Sequence, residues 1–153
     1  MRKWYFFVLA FLFLSQVCAQ NSKEEIAVKK VVEDFFEAIH AQDSLRMKKV
    51  VAPNVLLQTT GRSKEGKTIF KTEKIEKLYS TIASIPDSVQ FQEKLTSWAI
   101  QVDRTMANAW VGYEFWINRE FLHCGINSFQ MVNFDGKWKI VYLIDTRGRV
   151  GCF

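Results

Sequence analysis

The chain has 153 residues, of which 48% are hydrophobic and 14% aromatic, with 21 basic against 16 acidic side chains. This length and apolar share suit one folded core and exclude a disordered or low-complexity chain. The formal charge of +5 is spread along the chain with acids among the bases, which argues against a nucleic-acid-binding stripe.

Arg2 and Lys3 precede an apolar run from Trp4 to Leu14, followed by Val17-Cys18-Ala19. A positive start, an apolar run too short to span a bilayer and a small-residue cleavage site predict a signal peptide over residues 1–19. The expectation is an exported protein, periplasmic or secreted, with one domain over 20–153 and no membrane span after cleavage. A lipoprotein anchored at Cys18 is the alternative; Gln16 before Val17 fits that poorly. Removing Arg2 and Lys3 lowers the formal charge from +5 to +3.

Glu24 to His40 carries Val28, Val31, Val32, Phe35, Phe36 and Ile39 at the three-four spacing of a helix with one buried stripe. Glu24 and Glu25 favour its N-terminus, and His40 at its end is read as serving the helix dipole and the surface. Asp43 or Ser44 caps a short second helix, stopped by Pro53. Val55 to Thr60 reads as a strand, and a third helix is expected from about Thr72 to Ser84, with Thr72 as its cap. Ser88 to Val102 reads as a strand, followed by a polar turn at Asp103-Arg104.

Trp110 to Arg147 reads as three antiparallel strands. Asp135-Gly136 suits a two-residue hairpin, because both positions take φ > 0; Asn118-Arg119 is a weaker turn signal. Counting out from two-residue loops puts Glu114 opposite His123, Trp110 opposite Asn127, Met131 opposite Ile140 and Phe129 opposite Tyr142. One face then holds Trp110, Glu114, Trp116, His123, Asn127 and Tyr142 among apolar groups, and is read as the lining of a pocket. The other holds Val111, Tyr113, Phe115, Cys124, Asp145 and Arg147. Its apolar members suggest a homodimer through the sheet, and Asp145 and Arg147 are expected to pair with each other or with a partner subunit.

Loss of Cys18 with the signal leaves Cys124 and Cys152, and an exported protein with two cysteines invites a disulfide. Such a bond staples the C-terminal tail to the sheet and contributes roughly 3 kcal/mol by the loop-entropy argument. The alternative is a buried Cys124 and a free thiol in the tail.

Helices followed by a run of strands argue for an α+β fold with helices packed on one face of a curved sheet. The helical start, the strand "HCGINSF" (His123 to Phe129), the finish "DGKWKIVYLIDTR" (Asp135 to Arg147) and the length resemble the nuclear-transport-factor-2-like superfamily, in particular its SnoaL-like bacterial members. The resemblance implies a conical, cystatin-like antiparallel sheet wrapped around the N-terminal helix, with a pocket between them. It implies small-molecule binding or chemistry of the isomerase, dehydratase or hydrolase kind. The isomerase relatives keep a catalytic carboxylate in the first-strand region; here Val55 to Thr60 holds none.

Opposed Glu114 and His123 form the candidate catalytic pair, a general base and its orienter. Trp110, Trp116, Asn127 and Tyr142 are the candidate ligand-binding residues. The favoured role is binding of a small apolar or amphipathic molecule, with acid-base catalysis by Glu114 and His123 as the alternative. Gly61 to Thr68, "GRSKEGKT", matches the P-loop pattern, which makes nucleotide binding a distant third. A P-loop needs a parallel sheet and a helix starting at its lysine, whereas a polar hairpin loop needs neither. Two distant histidines make no zinc site, so no metal or cofactor is expected.

Overall fold

The computed structural model describes residues 23–86 and 88–152. The signal-peptide segment, with the Cys18 alternative, lies outside the described residues. Helix α1 covers residues 23–40, followed by α2 (Ser44–Val50), β1 (Val51–Arg62), β2 (Thr68–Glu73), α3 (Ile75–Ala83), β3 (Phe91–Asp103), β4 (Met106–Ile117), β5 (Glu120–Phe134) and β6 (Lys137–Arg147). The six strands form one curled, unclosed sheet in the order β2-β1-β6-β5-β4-β3. Every neighbouring pair is antiparallel except β1 with β6.

The apolar stripe of α1 explains where the core sits. Val28, Val32, Phe35 and Phe36 are all buried, and Phe35 and Phe36 meet Phe129 of β5 edge-on at 5.9 and 6.0 Å. Each such aromatic contributes about 1.5–3 kcal/mol by leaving water. The helix is tied down at both ends as well. Trp138 Nε1 donates to Glu24 Oε2 at 2.8 Å, and the Glu93 main-chain N–H donates to His40 Nε2 at 2.9 Å. Asp43 caps α2 by accepting from the Leu45 and Arg46 amides at 3.0 and 2.9 Å.

The first half of the chain differs from expectation in two places. The strand expected from Val55 begins at Val51 and holds Pro53 inside it, where the pairing with β6 is irregular between Val51 and Leu56, so α2 stops at Val50, ahead of the proline expected to stop it. Thr72 belongs to an edge strand, and α3 begins at Ile75 behind Lys74, which makes no side-chain cap. Residues 63–67 form the bend between β1 and β2, as in the polar-hairpin reading of this stretch. Thr68 there opens a strand, and no helix begins at Lys67. The phosphate cradle of a P-loop therefore has no helix to stand on.

Both C-terminal hairpin loops are two residues long. Asp135 and Gly136 take φ of +51° and +86°, and Asn118 and Arg119 take +49° and +69°. Close to each loop the counted pairing holds, with Trp116 opposite Phe121 and Met131 opposite Ile140. Beyond it, one extra residue enters each hairpin, Leu122 in β5 and Val141 in β6. The pairs become Phe115 with His123, Glu114 with Cys124, Val111 with Asn127, and Phe129 with Leu143. A one-residue slip sends a side chain to the opposite face. The faces of β4 are therefore exchanged relative to the count, as is the far half of β6.

Candidate functional site

On its concave side the sheet carries, row by row, Thr59, Asp145, Asn127 and Val111, then Gly61, Arg147, Gly125 and Tyr113, then His123, Phe115 and Glu93. Helix α1 covers this face with Phe35, Phe36 and Ile39. Between helix and sheet lies a cavity of about 180 Å³, with Leu57, Leu78 and Leu143 completing its apolar wall. One end of the cavity is thus hydrocarbon and aromatic. The other is a connected set of polar groups.

Glu93 sits at the centre of that set. Its Oε1 accepts from Asn127 Nδ2 at 2.8 Å, and its other oxygen has no partner among the described residues. Burial pushes the carboxyl up to about 7; the Asn127 hydrogen bond works against that and the nearby Asp145 charge adds to it. Asp145 is buried and fully engaged. Thr59 Oγ1 donates to its Oδ1, and Arg147 Nε donates to its Oδ2 at 2.7 Å. The pairing expected for Asp145 and Arg147 is thus made within one strand, although on the concave face and not on the outside.

The sheet opens locally to complete the site. Tyr113 O–H donates to the Thr146 carbonyl at 2.8 Å, and the Thr146 hydroxyl accepts the Ile126 amide at 2.9 Å. That carbonyl occupies the place where a side chain at Gly125 would stand: a Cβ there would lie 1.9 Å from the Thr146 oxygen. Only glycine lets β6 lean in this far. Burial, with the Asp145 and Glu93 charges, raises the Tyr113 hydroxyl pKa, so it remains a donor.

Of the six side chains read from the sequence as pocket residues, His123 and Asn127 line the cavity. The half-buried His123 packs its ring on Phe115 at 5.0 Å and edge-on to Tyr113 at 5.8 Å. Burial lowers its pKa, with Arg147 adding to the effect. The other four point away, because the Leu122 and Val141 bulges turned their strands. Trp110 is 51% exposed on the convex face. Glu114 accepts from Trp116 Nε1 at 3.0 Å, beside Lys94, and is opposite Cys124, so the pair of Glu114 with His123 is not formed. Tyr142 O–H donates to Gln58 Oε1 at 2.6 Å.

Glu93 was not among the expected site residues, and His40 was assigned to the surface. His40 is half-buried between Phe36 and Phe91, and it holds the Glu93 backbone. The sequence did carry a signal for Glu93. Phe91 and Leu95 stand two residues either side of it, in phase, which marks an inward-facing position.

Cys124 and Cys152 are joined by a disulfide with Cα atoms 5.8 Å apart, which fastens the tail beside the Cys124–Gly148 bridge. Among the described residues no group of His, Cys, Asp and Glu is arranged to hold a metal, and no helix is long and apolar enough to cross a membrane.

Comparison with known proteins agrees with this architecture. Residues 23–143 match the family described as "Putative lumazine-binding". Curated proteins give no match. Among solved structures, a nuclear-transport-factor-2-like protein of unknown function from Shewanella baltica OS155 is similar at 18% identity and TM-score 0.62, over 83% of this chain and 95% of that one. A cystatin-like-fold protein of unknown function from Nostoc punctiforme PCC 73102 has 15% identity and TM-score 0.62, over 82% and 91%. A Mycobacterium tuberculosis protein of unknown function has 16% identity and TM-score 0.67, over 88% and 77%. At these identities the likeness is one of fold. The match across most of the chain places the protein in the "Putative lumazine-binding" family, and its curled sheet cupping a long helix is the nuclear-transport-factor-2-like fold.

Proposed function

We propose that this is an exported small-molecule-binding domain whose ligand enters the cavity between α1 and the concave sheet. The observation that carries the reading is the two-sided cavity itself. Phe35, Phe36, Ile39 and Leu143 line one side, and Glu93, Asn127 and Arg147 stand on the other. An apolar wall with a few fixed polar groups is the usual composition of a ligand site. Its volume of about 180 Å³ suits one or two rings and is too small for a steroid-sized body. The family description makes lumazine, a bicyclic heterocycle, the natural first probe. Native mass spectrometry of the purified protein tests the reading: a co-purifying or added small molecule should be retained, and Phe36→Arg should abolish retention.

A second reading, acid-base catalysis in the same cavity, is favoured by one observation. The Glu93 carboxyl ionises near neutrality and has an oxygen facing the cavity, as a proton-transferring group requires. The catalytic group in this reading is Glu93, because Glu114 is turned away. Glu93→Gln should then remove turnover of any converted ligand while leaving its binding within a few fold.

The face first expected to dimerise, with Val111 and Tyr113, is buried under α1, and a homodimer through the opposite, convex face is supported by exposed Leu56, Phe70 and Trp110, at 43%, 60% and 51%. Analytical ultracentrifugation of the wild type and of Trp110→Lys should show a dimer and a monomer, respectively.

A further inference from the structure

We propose that the cavity and a basic cleft beside it form one site for a small organic acid: the carboxylate lies against Arg147 and Lys71, and the apolar body enters the cavity against Phe36, Ile39 and Leu143. The inference rests on the reading of the cavity as a ligand site, and it names the ligand's chemical class.

The cleft, about 410 Å³, shares Thr59, Glu73 and Arg147 with the cavity as common wall. The cavity alone is smaller than most ligand sites, while the two spaces together reach the usual range. Four basic side chains line the cleft: Arg62, Lys71, Lys77 and Arg147. Two carboxylates answer them, and both are already committed. Glu73 pairs with Lys77 at 2.7 Å, and Asp145 takes Nε of Arg147 at 2.7 Å. The terminal nitrogens of Arg147 and the Lys71 ammonium have no partner among the described residues.

Register brings these two cations together. Thr59 pairs with Lys71 on one side and Asp145 on the other, and the next inward-facing row sets Gly61 beside Arg147. Lys71 and Arg147 therefore share the concave face one row apart, and glycine puts no side chain between Arg147 and the edge strand. Asp145 holds the guanidinium by its inner nitrogen, which leaves the outer fork directed to the opening. A planar fork of N–H groups matches the two oxygens of a carboxylate. An excess of cation at the mouth of an apolar cavity draws an anion in and sets its orientation.

Isothermal titration calorimetry on the whole chain tests the proposal with 1-naphthoate, its neutral isostere 1-naphthamide, and inorganic phosphate. Naphthoate should bind at least about tenfold more tightly than the amide, and added salt should shrink the gap. Lys71→Glu, at an exposed edge position, and Arg147→Gln should each remove the advantage, and an unchanged thermal midpoint for Lys71→Glu excludes unfolding as the cause. Equal binding of acid and amide overturns the anion assignment and leaves the cavity a ligand site. Phosphate binding as tightly as naphthoate overturns the two-part site, because the cleft then acts alone. If neither ring compound binds, the proposal and the ligand-site reading fail together.

Discussion

Nε2 of His40, on the last turn of α1, accepts the main-chain N–H of Glu93 in β3 at 2.9 Å. This joins the lid of the cavity to the strand that carries its most perturbed acid. An imidazole that accepts at Nε2 is neutral, and a protonated ring would present a donor to a donor. Burial lowers the His40 pKa from 6.5, while Glu37 acts the other way.

The sign of the pH effect at His40 follows directly. The unfolded chain takes up this proton at a higher pH than the folded one, so stability is lost as pH falls below 6.5. His40→Phe retains the contacts with Phe36 and Phe91 and removes the acceptor, at a cost of about 1–3 kcal/mol at pH 7.5 for the orphaned amide. Urea unfolding at several pH values should show the gap between wild type and variant narrowing as the pH drops toward 5. A gap independent of pH would mean that the ring acts only by packing.

Glu93 titrates with the opposite sense. Its carboxyl releases the proton at about 7 when folded and near 4.5 when unfolded, so folding is progressively weakened as pH rises from 4.5 through 7. The penalty above that window is at most about 3 kcal/mol. Glu93→Gln keeps an acceptor for Asn127 and removes the charge. It should be more stable than wild type at pH 8 and close to it at pH 4.5, as read by thermal unfolding at both.

Gly125→Ala tests the lean of β6. The new methyl would meet the Thr146 carbonyl at 1.9 Å, so that carbonyl must withdraw and Tyr113 keeps only its longer contact with Asp145 Oδ2 at 3.5 Å. A loss of about 3 kcal/mol is expected from overpacking together with the weakened hydrogen bonding of a buried hydroxyl. The Tyr113 ring environment should change in near-ultraviolet circular dichroism. Gly66→Ala, whose Cβ meets nothing within 4 Å but whose φ is +77°, should cost only about 1 kcal/mol.

The Cys124–Cys152 bond closes a loop with a sequence separation of 28. The loop-entropy argument gives a stabilisation of roughly 3 kcal/mol. Reduction, or the double change Cys124→Ser with Cys152→Ser, should lower the thermal midpoint by on the order of 10 °C. The tail should also become open to carboxypeptidase.

Local chemistry in the sequence was enough for the broad architecture. The spacing of Val28, Val32, Phe35 and Phe36 marks α1, and Asp135-Gly136 marks the last hairpin, both as observed. What was not legible was the extra residue in each hairpin. Leu122 and Val141 are ordinary strand residues with no glycine or turn signal beside them. Their bulges come from the curvature of the whole sheet around α1, which no short stretch encodes. The phase along β5 was countable and puts His123 and Asn127 on the inner face, while Trp110, Glu114 and Trp116 in β4 and Tyr142 in β6, across a bulge from them, were assigned to the wrong face. In β3 the register also shifts between Leu95 and Ser97, so Glu93 could be phased against Phe91 and Leu95 but not against Trp98.

The parallel pairing of β1 with β6 has a consequence for how the molecule is assembled. β6 is the seam of the sheet: on one side lie β1 and β2, on the other the meander of β5, β4 and β3. A nascent chain that has emerged only as far as Phe134 owns two unconnected fragments of sheet, and the acid and base of Asp145 and Arg147 have yet to arrive. β6 is the strand that turns two pieces into a single cup, so the cavity exists only once β6 has docked between β1 and β5.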